Sequence, residues 1–150
     1  MDDLNQAYLL DQFRLIEEYL GRARGIAART REEYLADPNL VDASVRQVTV
    51  LFETCHNVAK HLIARSGWPP PETKAEAFEL LFDKGVIGEA LRDAFRSAAR
   101  FRNLVTYQTA IVDDNVVFQI LQEHLSDFEA FLGAVARWLE DRGEGLFPEG

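Results

Sequence analysis

Cysteine is nearly missing from this chain. Cys55 stands alone, which excludes an internal disulfide and a cysteine-based zinc site, and its place within an apolar stripe marks it as a buried small hydrophobe. No uninterrupted apolar run exceeds four residues, far below the roughly 20 that cross a bilayer as a helix. The Met1-Asp2-Asp3 start is acidic and lacks the basic and apolar stretches of a secretion signal. These absences point to a cytoplasmic protein without membrane association. Lysine is scarce, three residues against 13 arginines, and the 16 basic residues are outnumbered by 25 acidic ones. A net charge of −9 argues against a generic nucleic-acid binder, although a local cationic strip still holds a phosphate within such a chain. No segment alternates with a period of two, no internal repeat occurs, and no histidine lies between His61 and His124.

What is there is helical patterning, in a length that fits one domain burying roughly two-thirds of its unfolded surface. A first helix is predicted from Leu4 to about Ala23, capped by Asp2 or Asp3, with Leu9, Phe13, Ile16 and Leu20 on one face. Gly21 and Gly25 weaken its end. Thr30 opens a short turn through Leu35, which Asp37-Pro38 breaks. Asp37 then serves as N-cap and Pro38 as first residue of a long second helix. Its stripe of Val41, Val45, Val48, Phe52, Cys55, Ala59 and Leu62 runs to Ser66-Gly67. After the stiff Trp68-Pro69-Pro70-Pro71 loop, Thr73-Lys74-Ala75-Glu76 reads as a capping box opening a short helix that ends near Lys84-Gly85. A further helix starts near Gly88-Glu89 with Leu91, Phe95, Ala98 and either Phe101 or Val105 inward. The last, capped by Asp113 or Asp114, carries Val117, Ile120, Leu121, Phe128, Phe131, Leu132, Val135 and Leu139 as far as Gly143. The sum predicts an all-α domain over residues 1–143, a four-helix up-and-down bundle with one additional short helix. Residues 144–150 are expected to fray as a flexible tail.

Three polar groupings stand out. Arg92, Arg96 and Arg100 recur every four residues, with Arg102 just beyond: either a solvated face paired with Glu89 and Asp93 or a phosphate-contacting ridge. Glu53, Asn57 and His61 form a second four-residue row, beside His56 and Lys60. Its two strong ligands lie two turns apart, so it reads as a hydrogen-bonding row facing another helix or subunit and not as a metal site. Third is Arg100 to Thr109. On an unbroken helix Arg102 and Tyr107 diverge by about 140°; the mediocre helix formers Thr106, Gln108 and Thr109 leave room for the helix to loosen and bring them together. From spacing alone the preferred reading has Arg102 and Asn103 capping the helix while Tyr107 packs under the following loop. His124 has no obvious partner and reads as a surface residue.

Taken in order, several segments give the chain a family likeness: Glu33-Tyr34-Leu35-Ala36-Asp37-Pro38, the run from Glu53 to Ile63, Ala75-Glu76-Ala77-Phe78-Glu79-Leu80-Leu81, the Gly85-Val86-Ile87 turn, and Phe101-Arg102-Asn103 followed by Val112-Asp113. Over about residues 4–141 it resembles the HepT-like branch of the HEPN superfamily. That resemblance implies a HEPN-type four-helix bundle and a metal-independent ribonuclease toxin that needs no cofactor. It also implies a homodimer with a composite site, and a small MntA-type nucleotidyltransferase antitoxin that silences the toxin by adding AMP to a tyrosine.

The family motif is an arginine, commonly an asparagine, three residues, a histidine, one residue and a tyrosine. Carried over, Arg102 and Asn103 match its start, whereas Tyr107 stands at the histidine position and Thr109 at the tyrosine position. Shifting the register to pair Arg100 with Tyr107 places Val105 where histidine belongs. A tyrosine of ordinary pKa near 10 is ionised in about one molecule in a thousand at neutral pH, and loss of a general acid/base removes about 10²- to 10⁴-fold in rate. The expectation is a toxin component that grips RNA phosphate through Arg96, Arg100 and Arg102 with weak or absent cleavage. The alternatives are a non-catalytic HEPN module that binds a nucleotide, RNA or a nucleotidyltransferase partner, and an unrelated bundle sharing only the architecture.

Overall fold

The computed structural model describes residues 3–108 and 112–146, with side chains from Asn5 onward. Among the described residues seven helices follow one another: α1 (Asp3–Ala27), α2 (Arg31–Ala36), α3 (Pro38–Ser66), α4 (Lys74–Asp83), α5 (Glu89–Tyr107), α6 (Asp114–Glu123) and α7 (Leu125–Asp141). The described residues contain no strand. No helix among them is long and apolar enough to cross a membrane.

Local chemistry sets most boundaries. Thr30 accepts from Glu33 N while Glu33 accepts from Thr30 N, a full capping box that makes α2 a true short helix where only a turn was expected. Asp37 Oδ1 accepts from Asn39 N at 2.9 Å, Pro38 takes the first position of α3, and Gly67 ends it in the left-handed region at φ +71°. At α4 only half of the expected box forms. Thr73 Oγ1 accepts from Glu76 N, but the Glu76 carboxylate turns to Glu72 N instead. Asp113, of the two candidates, caps α6.

Two predicted elements change. α1 continues past Gly21 and Gly25 to Ala27, because Ala23 and Ile26 are buried and that packing outweighs a cost of about 1 kcal/mol per helical glycine. The last predicted helix is two helices. His124 lies at φ −119°, ψ −3°, off helical φ, and its Nδ1 is 3.0 Å from Asp127 Oδ2, so it is exposed yet paired.

The two components together count as one arm, and with α1, α3 and α5 they make the four-membered helical bundle, with α2 and α4 as the short pieces. Tyr8 meets the His61 ring and Gln12 meets Asn57, so α1 and α3 run antiparallel; Arg24 pairs with Glu129 and Gln6 with Leu146, so α1 and the α7 end do too. Leu9, Phe13, Ile16 and Leu20 are buried as patterned, as is the α3 stripe except half-buried Val45. At the centre Phe78 and Phe95 stack with centroids 4.3 Å apart, against Phe52, Phe128 and Phe131. Part of the expected tail belongs to this body. Leu146 is buried and Glu144 pairs with Arg65 at 2.7 Å, while 147–150 lie outside the described residues.

Candidate functional site

α5 presents the motif residues, and its backbone decides their directions. The helix stays regular through Tyr107 and closes with Gln108 N donating to Leu104 O at 2.8 Å. It does not loosen, so Arg102 and Tyr107 stay on diverging faces. Arg102 points inward, its side chain 22% exposed; Tyr107 is 76% exposed. The arrangement with Arg102 as a helix cap and Tyr107 under a loop does not occur. Asn103 is exposed, and Thr109 lies outside the described residues.

Arg102 is seated on a carboxylate from α3. Its Nε donates to Glu53 Oε1 at 2.5 Å, and Lys74 Nζ, at the start of α4, donates to the other oxygen, Oε2, at 2.5 Å. One anion thus joins three helices through two cations, each side chain no more than a third exposed. Burial is the largest single influence on the Glu53 carboxyl and pushes its pKa up. The hydrogen bonds and charges of Lys74 and Arg102 together outweigh it, leaving the group below its ordinary value.

His56, one turn along α3, is buried beside the Phe52 and Phe78 rings. Burial first, then the charges of Lys74 and Lys60, push its imidazole down to about 4; Glu53 opposes this and Arg102 adds to it. His56 is therefore neutral at pH 7.

The Glu53–Asn57–His61 row does not converge on one point. Glu53 faces α4 and α5, whereas Asn57 Nδ2 approaches Gln12 Oε1 at 3.4 Å and the His61 ring lies 4.7 Å from Tyr8 on α1. The arginine ridge also splits. Arg92 covers the Phe82 ring at 4.4 Å and pairs with Glu89 and Asp93; Arg96 grips Glu79 of α4 through Nε at 3.0 Å and Nη2 at 2.6 Å. Arg100 is exposed and forms no ion pair with the described residues.

Beside Arg102 a groove of about 620 Å³ runs between α5 and the α6–α7 pair, with Phe52 and Val48 of α3 at its base. Ala94, Ala98 and Phe101 form its α5 wall, Val116 and Ile120 the opposite one. These residues are only partly covered, and Val116 is exposed.

In the sequence Glu53 and Arg102 stand out separately, and Lys74 only as part of a cap. Glu53 is 21 residues from Lys74 and 49 from Arg102, so no local spacing signals the triad.

Comparison with known proteins agrees with this architecture. The family model described as ribonuclease HepT-like matches residues 16–135. A protein of Shewanella oneidensis named mRNA nuclease HepT is 23% identical over 103 residues, 69% of this chain and 77% of its own length. Among solved structures, the tri-AMPylated HEPN toxin of Shewanella oneidensis in complex with MNT antitoxin superposes with a TM-score of 0.81 at 21% identity, covering 90% of this chain and 98% of that one. A toxin–antitoxin structure with AMP-PNP gives 0.81 at 20% identity, covering 86% and 97%. At these identities the structures speak to the fold, and the family model, spanning most of the chain, speaks to descent: this chain belongs to the ribonuclease HepT-like family.

Proposed function

We propose that this protein is the toxin component of a toxin–antitoxin pair, related to metal-independent RNA endonucleases, with its own cleavage weak or lost. The observation that carries this is the geometry of α5. The family arginine position, Arg102, is set inward on Glu53, while Tyr107, at the histidine position, is a solvent-facing phenol on a diverging face. Arg102 supplies positive charge to a phosphate and Asn103 orients it. Exposed Arg100 adds to the field, and Arg96 joins only on leaving Glu79. Nothing at Tyr107 lowers the barrier to proton transfer at pH 7 as an imidazole does. At the limit of no cleavage the protein is a non-catalytic module that binds RNA, a nucleotide or its antitoxin.

The groove beside Arg102 supports a homodimer, since a second copy's α5 would cover its half-exposed apolar wall and bring two Arg102 side chains together. Structures of relatives in complex with antitoxin support a nucleotidyltransferase partner. The test is incubation of the purified protein with single-stranded RNA in a chelator. Trace cleavage or salt-sensitive binding without cleavage is expected, and Arg102→Ala should weaken either. An RNA activity indifferent to Arg102→Ala overturns the reading.

A further inference from the structure

On the far side of Glu53 from Arg102 lies a second concavity of about 650 Å³, between the α3 C-terminal half and the loop leading into α4. His56, Lys60 and Lys74 line one side; Trp68, Pro70 and Thr73 line another. The charge here runs against that of the chain, which is −9 overall. Two of the three lysines in the sequence face this one hollow. Lys60 is exposed and forms no ion pair with the described residues. Lys74 is held by Glu53, whose other oxygen is on Arg102. The carboxylate therefore leaves one positive charge uncancelled between Lys74 and Arg102, and Lys60 adds another, against one further carboxylate in the lining, the exposed Glu72. Around the buried His56 ring, burial first and then the charges of Lys74, Lys60 and Arg102 disfavour protonation, and Glu53 favours it. The wall is preset, because Pro69, Pro70 and Pro71 stiffen the loop and Trp68 is pinned edge-on by Trp138 with centroids 5.8 Å apart.

We propose that this hollow is a second phosphate site, in which Lys60 and Lys74 hold a backbone phosphate of the same single-stranded RNA whose neighbouring phosphate meets Arg102. It rests on the RNA-binding reading above and extends it with a track: from Arg102 over Glu53 to Lys74 and Lys60. Lysine suits this role, being a point charge on a flexible stem that follows a backbone without reading bases. The chemistry recognised is a phosphodiester. A free nucleotide offers a similar charge, and an acidic protein surface offers carboxylates, so the test must separate all three.

The probe is a labelled single-stranded oligoribonucleotide of about ten nucleotides, within the range such sites cover, titrated at several salt concentrations, with AMP in a parallel arm. For single strands each phosphate contact contributes about 0.7 to the slope of log K against log salt. Lys60→Gln and Lys74→Gln should each flatten that slope by about 0.7 and weaken binding at low salt, with helical content unchanged. Lys60→Glu should weaken it further. Wild-type protein that binds RNA, with both Gln variants keeping the wild-type slope while Arg102→Ala loses affinity, overturns the second site and leaves the functional reading intact. AMP binding as tight as the oligonucleotide, lost in the same variants, overturns the strand assignment in favour of a mononucleotide. Salt-sensitive binding of polyglutamate that is lost in Lys60→Glu with RNA binding untouched overturns it in favour of an acidic protein surface. Wild-type protein that binds no RNA at all defeats the functional reading, and the track with it.

Discussion

Arg102 and Lys74 occupy opposite oxygens of the Glu53 carboxylate, each at 2.5 Å. The carboxylate stands where an anionic ligand would bridge the two cations, so it both positions and partly neutralises them. Glu53→Gln keeps the shape and removes the charge. Stability should fall by about 1–2 kcal/mol, between the exposed and fully buried limits for ion pairs. RNA affinity at low salt should rise about fivefold, since a unit charge near 4 Å is worth about 1 kcal/mol in water-like surroundings. Urea unfolding and RNA titration read the two effects separately. A fall in affinity would show that Glu53 acts mainly by aiming Arg102.

His56 gives the fold a pH dependence. Its folded-state pKa, about 4, lies below the ordinary value of 6.5, so the unfolded chain binds the proton more readily. Stability from this group is therefore present in full above pH 6.5 and is lost as pH falls from there toward 4. Glu53, also depressed in the folded state, adds loss below its unfolded value of 4.5. Urea midpoints at pH 7.5 and 5 should differ in the wild type, with the lower midpoint at pH 5. His56→Gln should remove most of that difference. An equal drop in the variant would assign it elsewhere.

The helices are legible in the sequence because their signals are local. Asp37-Pro38, Thr30 with Glu33, and Gly67 fix ends by short-range hydrogen bonds or a backbone conformation, and the stripes through Phe13 and Phe52 name the buried faces. The break at His124 is hidden because Leu121, Leu125 and Phe128 keep helical spacing straight through it, and all three are buried. The regularity of α5 at Tyr107 is hidden for a related reason. The weak propensities of Thr106 and its neighbours count for little at the end of a 19-residue helix already held by packing. The triad at Glu53 is invisible because it is purely tertiary.

Phe95 fixes α5 to the core and hence the place of Arg102. It is 1% exposed and lies against four aromatic rings, Phe52, Phe78, Phe128 and Phe131. Phe95→Ala should cost about 3–5 kcal/mol, a large share of the roughly 5–15 kcal/mol that stabilises a typical domain. Denaturant unfolding followed by far-UV circular dichroism measures it. A loss below about 1 kcal/mol would mean that the aromatic cluster repacks without it.

Ala98 sits on the half-covered wall of the α5 groove. Arg102, one turn on, is held by Glu53, and His124 across the groove by Asp127, so a carboxylate there would be desolvated by a second copy of the chain without a ready partner. Ala98→Glu should leave helical content unchanged and convert a dimer to a monomer in sedimentation equilibrium. Wild-type protein that sediments as a monomer at micromolar concentration, or a variant that stays dimeric, removes this face as the interface.

Tyr107→His tests the catalytic deficit directly. The side chain is 76% exposed, so the exchange should change stability by no more than about 0.5 kcal/mol. An imidazole of ordinary pKa near 6.5 is mostly neutral at pH 7 and able to take a proton. On its own chain it faces away from Arg102, since the unbroken helix separates positions 102 and 107 by about 140°. Any useful pairing must then join the introduced imidazole of one copy to Arg102 of the other. The variant should gain at least about 10²-fold in metal-independent RNA cleavage, and the gain should vanish when Ala98→Glu is added to hold the chain monomeric. Cleavage that rises equally in the double variant would place the new base beside its own arginine, contrary to the geometry of α5. No rise in a variant shown to be dimeric would mean that the missing histidine is not what silences this protein.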